Sequence, residues 1–181
     1  SKNNISVVLI DTADKSKGYK LVKKNNQDKK GILTFKQIKD LNEFANKLNI
    51  KTLWAGGISL DQIFEFGNMQ VFGIYVTSSA AKQIPVSERY KEENMPVEKE
   101  PTFEGVFNSK VLLEAGFLHQ FLTVKKDLKR AKEIKNWSNW FIESVTKKSD
   151  VFSLDELLTD HSSTMNFTNL LLTEWREHLK K

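Results

Sequence analysis

The chain has 181 residues, a length that suits one domain or one domain plus a smaller second domain. Its 39% hydrophobic and 28% charged residues are ordinary for a soluble globular protein. It contains no cysteine, which excludes disulfide bonds, thiolate catalysis and cysteine-ligated zinc or iron–sulfur sites. The net charge of +5 is compatible with a phosphorylated ligand or with nucleic acid, but a solvated lysine-rich surface gives the same value. No apolar run approaches the roughly 20 residues of a membrane span, and no signal peptide is visible. We therefore expect a cytoplasmic protein without a membrane partner.

The first predicted element is a strand that ends in polar residues. The apolar run from Ile5 to Ile10 predicts a strand that is buried on both faces of a parallel sheet. Asp11 and Lys15 follow it, and α/β enzymes commonly place catalytic residues at the carboxyl ends of such strands. Asp11 and Lys15 are therefore the candidate catalytic residues. The alternative is a surface ion pair at a strand end.

A polar, lysine-rich segment follows, residues 16–31. It is long for a connection between a strand and a helix, where about 2–6 residues are usual. Two interpretations are open, a substrate loop or lid and a solvated loop without a role.

Two further strand–helix units come next. Thr34 and Gln37 form a capping-box pattern at the start of an amphipathic helix. The strand 50–55 follows, and it ends in Gly56 and Gly57, where backbone N–H groups can approach an anion closely.

The last of these units repeats the same plan. Ser59 and Gln62 form a second capping-box pattern before a short helix, and the strand 71–76 comes after it. That strand ends in small hydroxyl residues, Thr77, Ser78 and Ser79. Free N–H groups and the helix dipole favour an anion at such a position. Together with Gly56 and Gly57 these residues predict a phosphate site, and the alternative is a tight turn followed by a helix cap.

The order β-α-β-α-β predicts a parallel sheet. Anion-binding loops after two consecutive strands are typical of a (β/α)₈ barrel. We therefore expect an α/β fold in which residues 1–82 form three parallel βα units from the C-terminal part of a TIM barrel.

The remaining sequence has a different character. The three prolines and a dense set of charges fall within 83–102, which is the predicted linker. Residues 103–181 show only helical periodicity, with helices predicted near 111–122 and 124–145, after Ser153 and near 167–179. The histidines have no metal-ligand spacing, so we expect neither a metal site nor catalysis from them: His119, His161 and His178.

Basic residues are frequent along 125–135, and two tryptophans follow them at 137 and 140. A basic, aromatic face of this kind is one pattern of nucleic-acid binding. We favour the other interpretation, a core-packed apolar stripe with a solvated lysine face, because acidic residues interrupt the charge and Trp137 and Trp140 share the stripe. Nucleic acid is therefore not expected as a partner.

The first 90 residues resemble the (5-formylfuran-3-yl)methyl phosphate synthase family. The matching segments are Leu9 to Gly18, Leu33 to Phe35, Lys51 to Ile58 and Val71 to Ile74. The segment that begins Asp11-Thr12-Ala13-Asp14-Lys15 is the most specific of them. The match covers only the last three of eight strands, and the family continues its last strand into Arg-Gly-Ala where this chain has Tyr75-Val76-Thr77.

The resemblance implies a TIM-barrel lyase that condenses glyceraldehyde 3-phosphate to a furan phosphate in methanofuran-type cofactor synthesis, within one-carbon metabolism. It implies Lys15 as the Schiff-base or proton-transfer amine and Asp11 as its carboxylate partner, without a metal or a cofactor. Three βα units cannot close a barrel. We therefore expect either a homo-oligomer or a missing N-terminal barrel half. The alternative function is a non-catalytic phosphate-binding or assembly subunit that docks a partner through its helical region.

Overall fold

The computed structural model describes residues 5–12, 17–25, 27–76, 79–84 and 98–147. The strands in these ranges are β1 (Val7–Ile10), β2 (Lys20–Val22), β3 (Gly31–Leu33), β4 (Lys51–Ala55), β5 (Gly73–Tyr75), β6 (Ala81–Ile84) and β7 (Glu98–Pro101). The helices are α1 (Phe35–Lys47), α2 (Leu60–Asn68), α3 (Phe103–Val124) and α4 (Leu128–Lys147).

The main sheet is parallel and has the strand order β1-β4-β5. Its register aligns Ile10 with Trp54 and Trp54 with Ile74. Along the chain, α1 follows β3 and leads into β4, and α2 connects β4 to β5. The prediction of a mixed α/β fold with a parallel sheet is thereby confirmed. The described strands do not form a closed barrel.

A buried chain of polar groups joins the sheet to its helices. The Trp54 indole Nε1 donates to Thr52 Oγ1 at 3.0 Å, and that hydroxyl donates to Asn42 Oδ1 in α1 at 2.6 Å. The Asn42 amide donates to the carbonyl oxygen of Met69, at the end of α2, at 2.9 Å. Because side chains alternate along a strand, Thr52 and Trp54 define the helix-covered face.

The opposite face carries apolar side chains that remain exposed. Val7, Leu9 and Tyr75 expose 40%, 58% and 67% of their surface. The prediction that β1 is buried on both faces is therefore wrong. The physical reason is that β1 is the edge strand of the described sheet, and its side chains are exposed there on both faces, with Val8 37% exposed on the helix-covered side.

The lysine-rich segment contains a small parallel sheet, β2 with β3. Leu21 and Val22 are almost fully buried in the core beside Trp54 and Ile58. The interpretation of residues 16–31 as a solvated loop is therefore wrong for this part of the segment, because a buried strand with paired backbone groups is fixed in place.

Helix α3 crosses α2 through two glycines. A Cβ atom on Gly116 would lie 2.1 Å from the carbonyl oxygen of Phe64. One on Gly67 would lie 2.0 Å from the carbonyl oxygen of Leu113. The two backbones therefore touch, and they can do so only where side chains are absent.

Helix α4 packs its apolar stripe on α3 and the core. Ala131, Ile134 and Phe141 are buried, whereas Lys129 and Lys132 are exposed, so the predicted stripe with a solvated lysine face is confirmed. The helix starts after a turn in which the Arg130 N–H donates to the Asp127 carboxylate at 3.2 Å.

The predicted linker 83–102 has strand structure at both ends. Strands β6 and β7 pair antiparallel, and Thr102 N–H donates to the carbonyl oxygen of Ala80 at 2.8 Å. The division into domains at 1–82, 83–102 and 103–181 stays a prediction. The helices predicted after Ser153 and near 167–179, with His161 and His178, lie outside the described residues.

Candidate anion site

The ends of β1 and β4 bring the first candidate residues together. A Cβ atom on Gly56 would lie 3.2 Å from Asp11 Oδ1 and 2.8 Å from Thr12 Oγ1. The Thr12 N–H donates to Asp11 Oδ1 at 2.7 Å, which fixes the carboxylate at this edge. The structure thus places Asp11 directly against the glycine loop, as the parallel arrangement of β1 and β4 requires.

The glycine loop needs its two glycines for conformational reasons. Gly56 has φ of 116° and Gly57 has φ of 65°, in the left-handed region that side-chain-bearing residues rarely adopt. The Gly56 carbonyl oxygen accepts from Leu21 N–H at 2.7 Å. Strand β2 therefore holds the loop in this conformation.

Two hydroxyl groups near the carboxyl ends of the sheet strands are buried without a hydrogen-bond partner in the described residues. Thr12 follows β1 and Ser79 follows β5. A buried hydroxyl without a partner costs about 1–3 kcal/mol. Such groups are candidates for contact with a ligand, and Thr12, which is only 4% exposed, has the strongest claim among them.

Ser59 stands at the start of α2, where it forms a capping box with Gln62. Its N–H donates to Gln62 Oε1 at 3.0 Å, and its carbonyl oxygen accepts from Gln62 N–H at 3.0 Å. The capping box that the sequence predicts at Ser59 and Gln62 is therefore confirmed.

Lys20 is the nearest described basic side chain at Gly57. A Cβ atom on Gly57 would lie 3.3 Å from Lys20 Cγ and 3.7 Å from Lys20 Cβ. Asp61, in the first turn of α2, is exposed and carries the opposite charge. Lys20 belongs to a strand that the sequence did not predict, and this is why residue patterns alone did not select it.

The turn between β2 and β3 is organised by Asp28. Its carboxylate accepts from the N–H groups of Lys24 and Lys30 at 3.0 Å each and from that of Gly31 at 3.1 Å. These backbone hydrogen bonds, that from Lys24 first, lower the pKa of Asp28. The turn keeps β3 in register beside β2.

The structure describes some of the predicted site residues and not others. Lys15, Thr77 and Ser78 lie outside the described residues, so the structure brings together Asp11, Gly56 and Gly57 of the predicted set. The sequence did not select Thr12, although it follows Asp11 directly. Neither a group of three or more potential metal ligands nor a helix long and apolar enough to cross a membrane occurs in the described ranges.

His119 lies away from this edge, between the helices. Its Nδ1 is 2.7 Å from Asn68 Oδ1, and its ring meets that of Phe64 edge-on. Burial lowers the pKa of His119, the Lys135 ammonium lowers it further, and Glu65 opposes the shift. The surroundings are those of a packed residue at the junction of α2, α3 and α4.

Comparisons of the chain with protein-family models, with curated proteins and with solved structures returned no match.

Proposed function

We propose that this chain supplies the phosphate-binding edge of a (β/α)₈ lyase that acts on triose phosphate, with the chemistry of the (5-formylfuran-3-yl)methyl phosphate synthases. One observation carries the proposal. The Asp11 carboxylate, the glycine loop and the buried Thr12 hydroxyl, which has no hydrogen-bond partner among the described residues, meet at the carboxyl ends of two adjacent parallel strands. This edge is where barrel enzymes place their reacting groups.

The proposed roles follow from the chemistry of an aldehyde phosphate. Lys15, four residues after Asp11, attacks the carbonyl carbon as a neutral amine, and water leaves as the imine forms. Asp11 relays protons during these steps. The phosphate group is held by the loops after β4 and β5, with Gly56, Gly57, Thr77, Ser78 and Ser79.

A complete barrel needs further βα units. Three strands are too few to close one, and parallel sheets are found almost only with both faces covered. Among the described strands β1 has no neighbour on its outer edge, and Val7, Leu9 and Tyr75 are exposed. Both features support a set of completing units, from additional chain or from another subunit. These side chains would then face the barrel interior.

Borohydride trapping tests the catalytic proposal directly. The assembly that completes the barrel is incubated with glyceraldehyde 3-phosphate and borohydride, and peptides are analysed by mass spectrometry. We expect a reduced adduct on Lys15, lost in Lys15→Met and kept in the matched control Lys29→Met. A wild-type protein that forms furan phosphate without any adduct on Lys15 would contradict the role of this amine.

A second candidate is a non-catalytic subunit that binds phosphate and assembles with a partner. The exposed apolar sheet face favours it independently of any chemistry. Light scattering and a phosphate titration distinguish the two. A monomer that stays folded, binds phosphate and shows no turnover with any completing subunit supports this second candidate.

A further inference from the structure

We infer that Lys20 is the cation that pairs with the anion bound on the Gly56–Gly57 loop. The inference rests on the proposed phosphate site and adds to it a residue from outside the βα units. Lys20 comes from the β2–β3 pair inserted between β1 and α1. The ligand class is a phosphate monoester or inorganic phosphate.

The position of Lys20 beside the glycine loop supports this role. The Lys20 stem packs against Gly57, whose missing Cβ would lie 3.3 Å from Lys20 Cγ. One residue further on, Leu21 N–H donates to the Gly56 carbonyl oxygen at 2.7 Å. The hydrogen bond of Leu21 therefore holds the backbone beside Lys20 against the loop. The flexible four-carbon side chain of Lys20 starts at the surface of this loop.

The strand that carries Lys20 is held rigidly in the fold. Leu21 and Val22 expose 2% and 1% of their surface, and β2 is paired with β3. Asp28 closes the turn between the two strands with three backbone hydrogen bonds. Strand β2 thus holds the backbone of Lys20 at a fixed place, so only the lysine side chain has to be ordered when an anion binds.

An anion on the glycine loop needs a cation nearby. An anion on this loop would lie near the Asp11 carboxylate, which repels it. The buried Thr12 hydroxyl, for which the described part of the chain offers no hydrogen-bond partner, points to a polar ligand at this place. The α2 N-terminus contributes only a partial positive charge. The Lys20 ammonium acts on the Asp28 carboxylate, and on turning toward the loop its full positive charge would offset the repulsion.

The neighbouring lysines do not share this position. Lys23 and Lys30 contact Gly31 and Gly18 respectively, and Lys29 lies exposed beside the Asp28 turn. Lys29 is therefore a matched control, because its substitution changes the net charge of the same segment equally.

The test is a calorimetric titration of the full chain with inorganic phosphate at low salt. The proteins are wild type, Lys20→Met, Lys20→Arg and Lys29→Met, each checked for its fold by circular dichroism. We expect Lys20→Met to weaken binding about tenfold, which is the size of one charge-assisted contact. Lys20→Arg should stay within about threefold of wild type, and Lys29→Met should bind like wild type.

The outcomes separate this inference from the proposed function. Equal affinities of Lys20→Met and Lys29→Met, with intact binding by wild type, would overturn the role of Lys20 and leave the phosphate site standing. Absence of phosphate binding by folded wild type at millimolar concentrations would overturn the site itself, and Lys20 with it.

Discussion

Two pairs of glycines in this molecule have different structural roles. Gly67 and Gly116 sit inside helices and let the backbones of α2 and α3 touch. Gly56 and Gly57 sit after a strand, have positive φ and meet the polar side chain of Thr12 and the stem of Lys20. The first pair is a requirement of packing, and the second is a requirement of a loop that faces candidate ligand groups.

The difference shows what separates a structural glycine from one at a binding site. At the helix crossing the neighbours are carbonyl oxygens, which cannot move aside without displacing a helix. At the strand end the neighbours include the Thr12 side chain and the aliphatic stem of Lys20, and side chains can move without displacing a helix. Substitution at the crossing should therefore affect stability alone, whereas substitution in the loop should affect binding as well.

The largest effect is expected from Gly116→Ala. Its methyl group would collide with the Phe64 carbonyl oxygen, and we expect a loss of about 2–4 kcal/mol in the free energy of unfolding, after the modest gain in helix propensity. Urea denaturation measures it, with Lys110→Ala on the exposed side of α3 as the control. A loss below 0.5 kcal/mol, by the scale of surface substitutions, would show that the two helices do not touch here.

Gly56→Ala should come next and should change binding too. A side chain at φ of 116° is strained, which costs about 1–3 kcal/mol, and its methyl group would displace Thr12 Oγ1. We expect phosphate affinity to fall at least about tenfold when measured on folded protein. If Gly116→Ala reduced the affinity of the folded protein equally, the distinction between the two glycine pairs would fail.

Lys135→Met should have a smaller effect, confined to the helices. The Lys135 ammonium lies 2.5 Å from Glu65 Oε1 and 4.0 Å from the centre of the Phe64 ring. These half-exposed contacts are worth about 1 kcal/mol together. Thermal unfolding compares this variant with Lys132→Met, whose lysine lies on the exposed face of α4, and phosphate affinity should stay unchanged in both.

The smallest effect is a dependence of stability on pH through His119. The folded protein lowers the pKa of His119 from 6.5, first by burial and then by the Lys135 charge. Below about pH 6.5 the unfolded chain therefore binds more protons than the folded one, and stability falls as pH decreases. Above that pH the contribution of this group is constant.

This pH effect is measured as the thermal midpoint at pH 7.5 and at pH 5.5. We expect a decrease of a few degrees at most in wild type, and a smaller decrease in His119→Gln. Parallel pH profiles for the two proteins would show that His119 does not contribute. Asn68, Phe64, Glu65 and Lys135 surround the ring, so the profile also reports on how these helices pack.

The amino-acid sequence by itself determined several of the local elements. The capping box of Thr34 and Gln37 starts α1 as predicted, with Thr34 N–H donating to Gln37 Oε1 at 2.9 Å. Apolar runs located β4 and β5 to within about two residues. Local hydrogen bonds and side-chain periodicity depend on residues close in the chain, and for that reason they can be read from it.

Tertiary structure alone decided the rest. The exposure of β1, the core position of Leu21 and Val22, and the approach of Lys20 to Gly57 each depend on residues distant in the chain. An apolar run does not say whether a neighbouring strand or helix covers it, and a lysine-rich segment does not say which of its lysines a buried strand presents. Those outcomes follow from how the elements pack, and this packing is also what joins Thr12 and Lys20 to the glycine loop.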